Sequence, residues 1–459
     1  MLASPVVNRY SSFSSTYWLC SKFMPRFLYT LLFYLLTPIV ILRLLYRSIK
    51  APAYRQRIGE RFGFVPAAAL TGLSDEKCIW LHAVSVGETI AAVPLVKQLQ
   101  QRYPQQPIVV TTMTPTGSER VKALLGDSVY HIYAPYDLPD AIARVIQKIR
   151  PSMLVIMETE LWPNTIAQCW QKKIPVLLAN ARLSEKSASG YQRLSALTAP
   201  MLGGLSAVVA QNQATADRFL SLGLAPQKVV VSGSIKFDVS VEPVLKEAAS
   251  ALKTQWSQQG QRFIIIAAST RQGEDEIILQ AYKQCLEKIP ELLLILVPRH
   301  PERFQQVATM ISVANLSIQR RSQMAKGATQ VDVDPCTQVL LGDSMGELML
   351  LYGCADIAFV GGSLVATGGH NMLEPAAWGL PVMTGPSNFN FEEISALLQN
   401  AGALTQVADG EQLQQRWLSL AADKSSREQQ GNNARQTIAA NSGALERLLA
   451  EIDQLKQTP

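Results

Sequence analysis

A chain of 459 residues is too long for one ordinary hydrophobic core, and its 48% apolar and 17% charged content fits two globular α/β domains with some extra apolar surface. Six scattered cysteines (20, 78, 169, 285, 336, 354) form no Cys-x-x-Cys pair and have no histidine at metal spacing, which excludes a zinc site of that kind and fits a reducing compartment. The net charge of +6 is modest and crowds into Arg43, Arg47, Lys50, Arg55, Arg57 and Arg61. With no run of basic residues interleaved with aromatics, the expected partner is an anionic membrane surface and not nucleic acid.

Residues 1–22 are polar, Ser-rich and patternless, so disorder is expected there. An uncharged stretch at 27–42, extended to Tyr46 by a snorkelling Arg43, predicts a membrane anchor helix within 23–50. Pro38 should kink it. The basic flank places the remainder of the chain on the cytoplasmic side. A spanning helix and a helix lying on the cytoplasmic leaflet both satisfy this pattern.

Apolar runs at 78–84, 108–112, 129–133, 153–157, 176–180, 207–212 and 229–232 alternate with helical patterns. Continuous apolar strands between amphipathic segments predict a parallel sheet covered on both faces. After a polar helical linker at 241–259 the pattern restarts at 263–268, 292–297, 339–342, 356–360 and 381–384. The expected architecture is two doubly wound Rossmann-like domains, 51–240 and 241–459, with ligand in a cleft at the carboxyl ends of their strands.

Several of these strand ends carry chemistry. After the first strand, Ser85 can cap a helix that Glu88 opens; the helix dipole alone explains Glu88, and a general base at a strand end explains it equally. Residues 158–164, with Glu160, and 180–184, with Arg182, would line the same wall with carboxylates, hydroxyls and one cation, suiting a polyhydroxylated substrate. In the second half Lys236, Arg271, Arg299, His300 and Arg303 stand at successive strand ends, which together predict an anion site. Met345, Gly346 and Glu347 lie in another strand–turn–helix junction. The Asp332/Asp334 pair reads as a solvated loop.

The glycine-rich stretch 361–375 comes after a buried-strand run. Gly361, Gly362, Gly368 and Gly369 can present main-chain N–H groups to an anion, His370 and Asn371 open a helix, and Glu374, one turn in, would accept from neutral hydroxyls such as those of a ribose.

Taken in order, the motifs at 82–88, 159–164, 180–184, 234–238, 298–303, 342–348 and 361–375 closely resemble the bacterial 3-deoxy-D-manno-octulosonic acid (Kdo) transferase family, from about Phe27 to the C-terminus. The resemblance implies an inverting GT-B glycosyltransferase with a single N-terminal anchor in the inner membrane of Gram-negative bacteria and its catalytic domains on the cytoplasmic side. It implies transfer of Kdo from CMP-Kdo to the lipid A precursor, without metal or cofactor. By motif matching Glu88 takes the catalytic-base position, and Arg299, His300, Met345, Gly346, Glu347, Asn371, Met372, Leu373 and Glu374 take CMP-contacting positions. Ser85, Glu160, Arg182, Lys236, Arg271, Gly361, Gly362 and His370 are further cleft candidates. A lipid A disaccharide synthase-like transferase or a sugar epimerase would share the fold; the membrane segment and the cytidine-site motifs speak against both.

Overall fold

The computed structural model describes residues 13–73, 76–324 and 333–457. The chain divides into two compact units, the first running through Ile235 and rejoined from Gly443, the second spanning Lys236–Ser442.

In the first unit seven strands form one parallel sheet. They are β1 Cys78–His82, β2 Ile108–Thr112, β3 Tyr130–Tyr133, β4 Pro151–Met157, β5 Val176–Ala181, β6 Ala207–Ala210 and β7 Val229–Val231. Their order is β3-β2-β1-β4-β5-β6-β7. Central strands such as Cys78–His82 are buried at every position because helices cover both faces, so Ile79 and Leu81 enter one core while Trp80 and Cys78 enter the other. Strand order reverses between β1 and β4, which opens a crevice outside their carboxyl ends.

The second unit repeats the plan with β8 Phe263–Thr270, β9 Leu292–Pro298, β10 Ile318–Arg320, β11 Val339–Leu341, β12 Ile357–Val360, β13 Val382–Thr384 and β14 Leu404–Gln406, in the order β10-β11-β9-β8-β12-β13-β14. Here the reversal falls between β8 and β12. Two strands, β10 and β14, have no counterpart among the apolar runs. Each is a three-residue edge strand with polar positions (Ile-Gln-Arg and Leu-Thr-Gln), too short and too mixed to show such a run.

Two expected boundaries differ. The second domain, expected to extend to residue 459, ends earlier: the helix Ala444–Gln457 buries Leu448, Leu449 and Ile452 in the first unit's core beside Leu95 and Leu99. Its amphipathic pattern gives a face to bury but not the partner that covers it. At the other end, helix α1 spans Phe13–Lys50 and continues through Pro25 and Pro38. Helix thus replaces the disorder expected for 13–22, while residues 1–12 lie outside the described residues, as does Asp332. Within α1, Met24–Ile49 is long and apolar enough to cross a membrane.

Candidate active site

At the first unit's reversal, β1 ends in His82 and the helix α2 (Val86–Arg102) begins four residues later. Ser85 caps it: Ser85 Oγ accepts from Glu88 N at 3.2 Å and donates to Glu88 Oε1 at 2.9 Å, while Val84 N donates to Glu88 Oε2 at 2.8 Å. This arrangement resembles a capping box, except that Glu88 reaches back to the N–H of Val84 and the hydroxyl of the cap residue instead of the cap's own N–H, and it fixes the carboxylate at the strand end. Glu88 is 7% exposed, and burial raises its pKa to about 7. The Ser85 and Val84 hydrogen bonds oppose that rise, and the negative charges of Glu160 and Glu158 add to it. The geometry accounts for Glu88 as part of the cap, and a pKa near neutrality is the range in which a general base works.

Glu160 enters the same corner from the end of β4. Its Oε2 accepts from Trp162 Nε1 at 3.0 Å, and the indole meets His82 edge-on at 4.9 Å between ring centroids. Thr111 Oγ1 holds His82 Nδ1 at 2.8 Å, and burial keeps this imidazole neutral, with its pKa lowered to about 4. Arg182 comes just after β5 with an exposed side chain and reaches the group only through its backbone N–H, donated to Glu158 O at 3.3 Å. Ser85, Glu88 and Glu160 are brought together; Glu158, whose charge also acts on Glu88, lies in the same strand-end loop but is not among the candidates singled out from the sequence.

In the second unit the cations converge at the ends of β8 and β9. Arg271 Nε lies 3.2 Å from His370 Nε2, and Arg271 Nη1 lies 2.5 Å from His300 Nε2. Burial, then the positive charges of Arg299 and Arg271, lower the His370 pKa to about 4; His300 is lowered by the same kinds of cause. Two arginines beside two neutral imidazoles make a corner poised for an anion. Asn371 Oδ1 accepts from Leu373 N at 3.1 Å, and its Nδ2 donates to Glu374 Oε1 at 3.0 Å. Burial raises the Glu374 pKa against the pull of Asn371 and Arg299.

The glycine-rich loop does not do what its sequence suggested. The fully buried carboxylate of Glu274 accepts from Gly362 N (2.6 Å), Ser363 N (2.9 Å), Leu364 N (2.8 Å) and Arg271 N (2.8 Å). Gly361 N donates to Ala268 O, Gly368 N to Ser387 Oγ and Gly369 N to Gly362 O. All four glycine amides expected to face a bound anion are thus committed inside the unit, and the anion that Gly362, with Ser363 and Leu364, does serve is a side chain of the chain itself. The glycines are needed for close approach. At Gly361 a Cβ would stand 2.8 Å from the Thr270 Cα, and at Gly362 (φ 69°) 2.8 Å from the His370 ring. Glu274 carried one signal in the sequence, an acid immediately before the helix Asp275–Leu286.

Other candidates are placed less directly. Glu347 pairs with Arg321 at 2.7 Å and accepts from Ser344, Met345 is exposed, and Gly346 takes φ 86°. Met372 and Leu373 bury their side chains with Val360 and Ala376, leaving only their backbones to meet a ligand. Lys236 is half-buried in the short turn Ile235–Phe237.

Residues 252–437 match the family model described as Glycosyl transferases group 1. A solved glycosyltransferase from Rickettsia africae ESF-5 shares the fold at TM-score 0.50 and 15% identity, covering 84% of this chain and 100% of that one. With two doubly wound units, the molecule is a glycosyltransferase of the GT-B class. Residues 56–239 match the model described as 3-Deoxy-D-manno-octulosonic-acid transferase (kdotransferase). The 3-deoxy-D-manno-octulosonic acid transferase of Haemophilus influenzae is 46% identical over 427 residues, 93% of this chain and 97% of that protein. That of Bordetella pertussis is 34% identical over 439 residues, 94% and 99% respectively. The chain belongs to the 3-deoxy-D-manno-octulosonic-acid transferase family, as its motifs implied.

Proposed function

We propose that the protein transfers Kdo from CMP-Kdo to the lipid A precursor lipid IVA, releasing CMP, as an inverting enzyme at the cytoplasmic face of the inner membrane. The observation that carries this reading is Glu88: a buried, capped carboxylate at the strand-order reversal, with its pKa raised to about 7. A sugar hydroxyl is a weak nucleophile. Glu88 takes its proton as the oxygen bonds to the anomeric carbon of Kdo, and the bond from that carbon to the CMP phosphate breaks. The electron pair leaves with CMP, and Arg271, Arg299 and Lys236 meet the growing charge on its phosphate. His300, Glu347 and Asn371 to Glu374 then hold the nucleotide, with Glu374 accepting from ribose hydroxyls. In the first unit Ser85 positions the base, and burial, with a smaller addition from the charge of Glu160, keeps its proton affinity high.

The test is product mass spectrometry with full-length protein, CMP-Kdo and lipid IVA in detergent. The expected product is lipid IVA heavier by one or more Kdo residues, with one CMP released per residue added. CMP release that is indifferent to lipid, or turnover of a UDP-sugar in place of CMP-Kdo, would overturn the proposal.

A further inference from the structure

Helix α1 is not a free tether. Along Met24–Ile49 a stripe at three- and four-residue spacing, Tyr29, Phe33, Thr37, Val40, Leu44 and Ser48, is buried or half-buried. Three side chains on this part of the helix bond to the first unit. Tyr29 Oη donates to Asp137 Oδ2 at 3.0 Å, Thr30 Oγ1 to Asn164 Oδ1 at 3.1 Å and Tyr34 Oη to Asp140 Oδ1 at 2.5 Å. Asp137 and Asn164 are each 2% exposed and already joined, since Asn164 N donates to Asp137 Oδ2 at 2.9 Å and Thr165 N to Oδ1 at 2.8 Å. The helix is therefore fastened, in the first half of its apolar stretch, to a polar network whose centre, Asp137 and Asn164, is buried.

The opposite face is bare. Leu28, Leu31, Leu35, Ile39, Leu42 and Ile49 are all exposed, spaced to form a second stripe. Arg43, Arg47 and Arg55 are exposed at the end of this stretch, where they complement anionic headgroups.

We infer that α1 lies flat in the cytoplasmic leaflet, with its bare stripe in the acyl boundary and its other stripe fixed to the first unit, and does not cross the bilayer. A spanning helix would carry Tyr29–Tyr34 roughly 8–15 Å past its start at ~1.5 Å per residue, dragging the Asp137 turn and the start of the helix Pro163–Gln171, where Asn164 stands, into hydrocarbon. The docking has a direction. Asp137 comes after β3 and Asn164 after β4, so α1 sits at the carboxyl edge of the sheet, where Glu88 and Glu160 also stand. A flat helix holds that edge at the membrane surface, so a glycolipid acceptor presents its headgroup to Glu88 while its acyl chains stay in the leaflet. This last step rests on the proposed acceptor; the flat helix does not.

The test uses full-length protein with Cys20 and Cys336 changed to Ser. Leu28→Cys, Leu35→Cys and Leu42→Cys are each labelled with a nitrobenzoxadiazole fluorophore in vesicles of phosphatidylethanolamine and phosphatidylglycerol. Quenching by lipids spin-labelled at different depths reads the position of each probe. The expected result is one common shallow depth for all three. A depth that changes steadily by roughly 21 Å from Leu28 to Leu42, at ~1.5 Å per residue, would mean a crossing helix and overturn the inference. Probes shielded from lipid quencher, with cross-links between copies, would overturn it in favour of a dimer face. Depth is read without turnover, so a flat helix with no transfer to lipid IVA defeats only the proposed function, and a crossing helix with normal transfer defeats only this inference.

Discussion

Replacing Glu274 by Gln tests whether the glycine-rich loop is organised around an internal carboxylate. The wild-type group accepts four backbone N–H bonds at 2.6–2.9 Å, two on each oxygen, and is 0% exposed. Glutamine keeps one oxygen and turns an NH2 toward two of those donors. Two buried N–H groups then lose their acceptors at about 1–3 kcal/mol each, so a loss of ~2–6 kcal/mol is expected. Urea unfolding monitored by tryptophan fluorescence measures it as a fall in the midpoint at unchanged slope. Because Gly362 sits against the His370 ring, CMP affinity should fall as well. Glu274→Ala leaves an empty nest of amides, and added formate or acetate should restore part of its stability while leaving the wild type unaffected. A loss below about 1 kcal/mol in Glu274→Gln, or no carboxylate rescue in Glu274→Ala, would refute the reasoning.

The site itself sets four further outcomes. Glu88→Gln should keep CMP affinity in calorimetry while transfer falls by about 10²–10⁴-fold; near wild-type turnover would remove Glu88 from the mechanism. The base works deprotonated, so kcat/KM should rise about tenfold per pH unit below a folded pKa of about 7 and level above it, and Glu160→Gln, removing a like charge, should move that limb to lower pH. The sign for stability is opposite: a raised carboxyl pKa contributes stability that is full below the ordinary 4.5 and lost as pH rises through about 7, a dependence Glu88→Gln should flatten in denaturation midpoints. Arg299→Ala should weaken CMP and CMP-Kdo alike by ~1.5–3 kcal/mol, and unchanged CMP affinity would withdraw Arg299 from the phosphate.

Much of this was legible in the sequence because buried parallel strands write themselves as unbroken apolar runs. Twelve of the strands coincide with such runs, and Ser85, Glu88, Arg271 and Arg299 stand just after them, at the carboxyl ends where open α/β sheets bind their ligands. What could not be read was pairing across distance. Glycine spacing announces that amides will converge but not what they converge on, and Glu274 reaches them from 88 residues away. Likewise the apolar content of α1 proclaimed a membrane segment, while the tyrosine and threonine hydroxyls within it, which decide how it is held, find their partners more than 100 residues along the chain.

Backbone conformation carries the same lesson to the strand ends. Glu158, Asn180 and Ser269, at or next to the ends of β4, β5 and β8, all take left-handed conformations with φ of 57°, 52° and 59°. None is glycine, and such a residue costs on the order of 1–3 kcal/mol unless its surroundings hold it. At Asn180 the holding is visible, since its Oδ1 accepts from Ile235 N at 3.2 Å. Glu158 is held through the main chain, its N–H given to Ala179 O at 2.9 Å and its carbonyl accepting from Arg182 N at 3.3 Å. The turn at Glu158 takes the chain out of β4 and delivers Glu160 to the corner where its charge acts on Glu88. At Ser269 the constraint is steric: its carbonyl oxygen stands 2.9 Å from where a Gly361 side chain would begin, so the strained β8 end and the bare glycine that opens the neighbouring loop are one arrangement. Six other non-glycine residues, Arg57, Arg150, Lys173, Gln258, Gln259 and Asn315, also take positive φ, in turns and at helix ends away from these corners. What marks the three strand ends is therefore not strain itself but that the contacts holding each residue also set the direction of the loop that follows.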